Sequence, residues 1–319
     1  MANKIFWAAG KDRENIALVL RQVEAEHPQL ISKIRGARVL IKPNFVDPDI
    51  PRACSAPSTI GAVARWVIKH GASAVFVGDD GCIHAQKKAR AHGIREFSRY
   101  AGEKLGLTKE LEKIKAETGV AVSYLELSSL KTIQFQGIPL RDTSSFQVVS
   151  IALPKVHGEF VFSGACKNLI GLIPGERREE VVHPTLPLKM EMKVLYRKVE
   201  DRLVLLDKPH TVRIPHPDYQ KQHDVMQRLI RHIQNAGNFL LHILDGMIGL
   251  FVHEHCGNAK ELNFAVAGSN PVDVDVACYT ALGIPAGSVF YLPDWQDMRG
   301  TQIGILDEIS RGLWIGREF

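Results

Sequence analysis

Short apolar runs alternate with amphipathic stretches through the first 150 residues. KIFWAA (4–9), RVLIKPNF (38–45), AVFVGDDG (74–81), VSYLEL (122–127) and QVVSIALP (147–154) have the dense apolar positions of buried strands. Between them, ENIALVLRQVEAEH (14–27) and STIGAVARWVIKHG (58–71) place apolar residues at helical spacing, the second with Ser58 or Thr59 as the expected N-cap and Gly71 as its stop. A further helix is expected over about 86 to 106, and KTIQFQGIPL (131–140) reads as a hairpin. Strand, helix, strand, helix in this order predicts an α/β fold, with a mostly parallel sheet covered by helices on both faces.

The pattern weakens from about 160 to 200. FVFSGACKNLIGLIPG (160–175) reads as a short helix between loops. Periodicity returns with a helix in DYQKQHDVMQRLIRHIQNA (218–236), strands in FLLHILDG (239–246) and ELNFAVAGSN (261–270), and a helix entered through Pro271. The expected organisation is an N-terminal α/β lobe, 1–159, and a C-terminal α/β lobe, 160–319, with a soft boundary that also admits one domain.

Composition changes this picture little. The chain has 319 residues, 45% apolar and 24% charged, as for an ordinary globular protein. Its formal charge of +5 is spread along the chain, and the densest basic stretch, QKKARAHGIR (86–95), reads as a solvated helix face. With aromatics at only 7%, no stacking and basic stripe suggests nucleic acid; a positive field suits anionic small molecules. Five cysteines at wide spacings, with no C-x-x-C pair, give neither a disulfide framework nor an iron–sulfur site in this chain. No run reaches the length of a membrane span or a signal peptide, so a cytoplasmic protein, monomer or homo-oligomer, is expected.

Chemistry gathers at strand ends, where ligands of open α/β sheets bind. KPN (42–44), GDDG (78–81) and PKVHG (154–158) are three such polar turns. Lys42 and Asn44 are either substrate contacts or parts of a turn set by Pro43; Asp79 and Asp80 are either ligands or a solvated turn; Asp245 closes another strand. In the glycine-rich stretch that follows, His157 and His183 bracket Lys167, while Gly164 and Gly171 permit close backbone approach. A lysine amine among apolar residues becomes a nucleophile or base, and a histidine moves protons or binds a metal. The plainer alternative makes Lys167 a point charge for an anion and the histidines satisfied loop residues. HEHC (253–256) reads as a solvated loop more readily than as a metal cluster, and Asp273 and Asp275 suit the positive end of their own helix, with one of them in reach of the cleft.

VLIKPNFV, GAVARWVIKHGASAVFVGDDG, LPKVHGEFVFSGACKNLIGLIPG, ILDGMIG and AVAGSNPVDVDVACYTALG resemble, in that order, the blocks of the domain of unknown function 362 family. The spacing of His157, Lys167 and His183 is similar, more distantly, to the core of nickel-pincer lactate racemases. That likeness implies a nickel-carrying pyridinium nucleotide attached to Lys167, nickel ligation by His183 and acid/base work by His157. His84, beyond GDDG, stands nearest to that family's second acid/base histidine. The resulting expectation is an enzyme, an isomerase of the racemase or epimerase kind or an oxidoreductase. It would act by proton or hydride transfer on a small anionic organic substrate, with Lys167, Gly164, Gly171, Lys42, Asn44, Asp79 and Asp245 about its cofactor. A redox partner of an iron–sulfur protein and a non-catalytic metabolite- or nucleotide-binding protein are the alternatives.

Overall fold

A computed structural model describes residues 4–10, 14–157, 161–182, 185–199, 202–217, 219–251, 258–284, 287, 289, 291 and 292. In chain order the strands are β1 (Ile5–Ala9), β2 (Arg38–Lys42), β3 (Ala74–Val77), β4 (Val122–Tyr124), β5 (Thr132–Phe135), β6 (Ile138–Arg141), β7 (Gln147–Ala152), β8 (Lys155–His157), β9 (Val161–Ser163), β10 (Thr185–Val199), β11 (Arg202–Pro217), β12 (Phe239–Phe251) and β13 (Asn258–Gly268). The helices are α1 (Asn15–Glu26), α2 (Pro28–Ile34), α3 (Pro57–Lys69), α4 (Ile83–Ala91), α5 (Phe97–Lys104), α6 (Leu107–Thr118), α7 (Ala165–Asn168), α8 (Gly175–Val182), α9 (Tyr219–Ala236) and α10 (Pro271–Ala281). None of the described helices is long and apolar enough to cross a membrane.

Among the described residues the main sheet runs β1-β13-β12-β7-β2-β3-β4, with β8 beside the far half of β12 and β9 beside β8. From β12 to β4 every neighbour is parallel, whereas β13 runs antiparallel to both β12 and β1. The fold is therefore α/β, as the alternation of apolar runs implies. The expected boundary near residue 160 falls inside the β8–β9 hairpin, and strands from both sides of it share this sheet.

Two apolar layers cover the sheet. On one face, Val39, Ile41, Val149, Ile151, Leu241 and Ile243 pack with Ile16, Val19 and Val23 of α1 and Ile60, Val63 and Val67 of α3. On the other, Leu40, Val148 and Leu244 pack with Ala165 and Cys166 of α7, Met226, Leu229 and Ile233 of α9, and Val274 and Cys278 of α10. Successive strand side chains alternate between faces, and helical residues three and four apart share one, so the apolar periods of the sequence become these two layers.

Three local expectations are corrected. α3 begins at Pro57 behind Ala56, with no side-chain cap; Pro57 presets the first turn, and the Thr59 hydroxyl is committed elsewhere. The single helix expected over 86 to 106 is two, α4 and α5, broken where Gly93 turns left-handed at φ 74°. The stretch 160–175 contains β9 before α7 and a 3-10 turn, Leu169–Leu172, after it.

Candidate functional site

The connection from β2 runs to β3 and β4 on one side, while β7 and β12 lie on the other. The carboxyl ends of β2 and β7 thus flank a topological switch point, the usual ligand crevice of a parallel sheet. Lys42, the last residue of β2, is fully buried there. Its Nζ donates to Asp79 Oδ1 at 2.7 Å and to Asn168 Oδ1 at 3.3 Å. Asp79 is in turn held by the Phe45 amide, which donates to Oδ2 at 2.8 Å. Burial pushes the Lys42 amine below its ordinary 10.5, and the charge of Asp79 pulls the other way.

The strand register extends this pair into a row. Lys42 lies opposite Ser150 of β7, and Ser150 lies opposite His242 of β12, so the three side chains share one face. Asn168 bridges the row from α7: its Nδ2 donates to Ser150 Oγ at 3.0 Å and to the Ile151 carbonyl at 3.1 Å, while its oxygen receives Lys42. His242 is fully buried, stacks parallel to Phe239, and has no hydrogen-bond partner on either ring nitrogen among the described residues. Desolvation drives its pKa down to about 3, so the imidazole is neutral.

A second group lies around the β2–α3 loop. Lys155 Nζ donates to Asn44 Oδ1 and to the Ala53 carbonyl, each at 3.2 Å. The Asn44 amide donates to Ser55 Oγ, which donates to the Ile151 carbonyl. Asp245 points to the other face of β12, where the Thr59 hydroxyl donates to it at 2.5 Å and the Met247 amide at 3.2 Å; burial nonetheless raises its pKa. Asp80 is also buried, with Arg178 and Arg141 at 3.8 and 3.9 Å, and burial raises its carboxyl too. The solvated-turn reading of Asp79 and Asp80 is thereby excluded.

Two glycines are required by close approach. A Cβ on Gly171 would lie 2.6 Å from Lys42 Nζ and 2.9 Å from Asp79 Oδ1, and one on Gly164 would run into the Asp275 carboxylate and the Phe162 ring. Arg178 fastens the segment around Gly171, donating to the carbonyls of Gly171 and Ile173, each at 2.8 Å, and to that of Gly81.

The structure thus brings Lys42, Asp79 and Gly171 together, with Asn44 beside Lys155 and with Asp245 on the opposite face of the sheet. Lys167 sits on α7 immediately before Asn168, half-buried. His84 is exposed on α4. His157 ends β8, but its side chain is outside the described residues, as are His183 and the HEHC segment. Ser150, His242, Asn168 and Lys155 were not singled out from sequence. Asn168 and Lys155 stand beside more conspicuous residues, and Ser150 and His242 are single polar positions inside apolar strands. Among the described residues no group of three or more His, Cys, Asp or Glu could hold a metal ion.

These features define a parallel-sheet α/β protein with a buried ionic and amide network at its switch point. Residues 39–280 match the family described as Domain of unknown function (DUF362), and the chain belongs to that family. No curated protein and no solved structure matches it.

Proposed function

We propose that the protein is an enzyme acting on a small anionic organic substrate by proton or hydride transfer at a carbon bearing a hydroxyl. This makes it an isomerase of the racemase or epimerase kind or an oxidoreductase. The observation that supports this most is Lys42. A fully buried ammonium is expensive to keep, and an apolar residue of similar volume would serve packing better. Its retention at the switch point, with its pKa lowered by burial, is the pattern of a functional group.

In this reading Lys42 holds and releases a proton at Nζ, with Asp79 and Asn168 fixing that atom. Lys155, on the same edge, adds positive charge for a carboxylate. Side chains accept no hydride, so a hydride route requires a cofactor to supply the accepting carbon. The racemase likeness assigns its attachment to Lys167, nickel to His183 and proton exchange to His157. Lys167 is half-buried on the short helix α7, next to Asn168.

The test combines intact-mass measurement and nickel and iron quantification of the purified protein with NMR detection of solvent deuterium entering small hydroxy acids. Added mass on the Lys167 peptide, or deuterium at the hydroxyl-bearing carbon that is lost in Lys42→Met, supports the reading. An unmodified, metal-free protein that exchanges no hydroxy acid overturns it in favour of a non-catalytic binding protein.

A further inference from the structure

We propose that Asp275 is a positioning residue that grips the first turn of α7 from α10 and sets the seat from which Asn168 reaches Lys42. The inference rests on the reading that α7 borders the ligand site. Asp275 is the fifth residue of α10 and fully buried. One carboxylate oxygen accepts from the Ala165 amide at 2.5 Å and the other from the Cys166 amide at 2.9 Å. These are the free donors at the start of α7, which has no capping side chain of its own. Each carboxyl oxygen thus receives one N–H, so the two amides at the start of the helix are both satisfied by one side chain.

The grip is built from both sides. Gly164 leaves no atom where a Cβ would strike Asp275, and Tyr291 adds its hydroxyl at 3.5 Å while donating to the Phe162 carbonyl at 3.1 Å. α7 is four residues long, too short to hold its place by its own hydrogen bonds. Its register on the sheet therefore depends on what fastens its ends: Asp275 at the start, and Arg178 on the carbonyls of Gly171 and Ile173 beyond. Asn168 lies one turn from the Asp275 contacts, within reach of both Lys42 and Ser150.

The groups facing Asp275 are the thiol of Cys166 on α7, the thiol of Cys278 on its own helix and the phenol of Tyr291, with Asp273 near Cys166. Burial pushes Asp275 up to about 7, while the Cys166 and Ala165 amides pull it down. A carboxyl of raised pKa binds its proton more tightly when seated than when hydrated. Opening of α7 therefore becomes easier as the pH rises toward about 7 and levels off above it.

Two buried thiols provide the measurement. Cys166 is on α7, and Cys54 is buried in the apolar layer on the other side of the sheet. Peptide-resolved alkylation of the native, ligand-free protein reads the opening of each. In Asp275→Asn the ratio of Cys166 to Cys54 labelling is expected to rise about tenfold or more, the size of leaving one buried amide donor facing an NH2 with no acceptor. In the unaltered protein the ratio climbs as the pH rises from 3.8 to about 7, and in Asp275→Asn that climb disappears. Equal acceleration of both thiols, or a ratio in the unaltered protein that does not move with pH, overturns the proposal. No substrate enters the measurement, so its failure is distinct from failure of the proposed activity.

Discussion

Beneath α1 and α3, β2, β7 and β12 present Val39, Ile41, Val149, Ile151, Leu241 and Ile243. Beneath α7 the same strands present Leu40, Val148 and Leu244, and then the row Lys42, Ser150 and His242. Alternation alone separates the two sets, so one residue of register divides adhesion from chemistry. The coverings differ to match. Long amphipathic helices bring mainly apolar groups to the first face, with the Thr59 hydroxyl the exception, whereas a four-residue helix brings the Asn168 carboxamide to the second. A polar row inside a core is tolerable only where something short and irregular can reach down to satisfy it.

The contrast breaks most directly at Lys42. Lys42→Met leaves Asp79 buried beside an apolar chain and is expected to cost about 3–5 kcal/mol in urea unfolding. Adding Asp79→Leu should recover most of that loss, which a purely steric effect at Lys42 would not allow.

The next effect is one of pH. Folded His242 resists protonation down to about 3, while an unfolded histidine takes a proton near 6.5. The folded state then binds fewer protons, and stability is lost as the pH falls through that window, by up to about 1.4 kcal/mol per unit. Asp275 acts in the opposite sense: its contribution is complete below 3.8 and is lost as the pH rises to about 7. In His242→Phe the difference in unfolding free energy from the unaltered protein should therefore grow in the variant's favour below about pH 6.5; a difference independent of pH would refute the assignment.

The aliphatic face also carries a buried carboxyl, Asp245. Thr59→Val removes its 2.5 Å partner and should cost about 2 kcal/mol, most of it at pH values where Asp245 is charged. Ile41→Val, a neighbour of Lys42 that points the other way, is expected to cost only about 0.5–1.5 kcal/mol, with no dependence on pH.

The apolar face was almost wholly legible from sequence, because buried parallel strands read as continuous aliphatic runs and their covering helices as clean periods. α6 was not. Leu107, Leu111 and Ile114 carry its period, but it starts past the left-handed turn at Gly106, where the expected helix had ended. The long pair β10 and β11 was also missed, since Pro187, Pro209, Pro215 and Pro217 interrupt any strand pattern. In the buried network, Lys42, Asn44 and Asp79 were readable as polar strand ends because each follows an apolar run, as was Asp245 on the other face of the sheet. Ser150 and His242 were not, because a lone polar residue within a strand does not reveal its neighbour two strands away. Asp275 was read as favouring its own helix, but its partners are amides of α7, 109 and 110 residues distant.

That distance has a consequence for how the chain comes together as it is made. β2, β3 and β7 can pair once about 152 residues exist, placing Lys42 beside Asp79 at the carboxyl ends of the strands before α7 exists to cover them. β12 adds to the free edge of β7 only after residue 239, and the carboxylate that clips the short helix over the pair follows at residue 275. Until residue 275 has been made, the pair lacks the carboxylate that seats its covering helix.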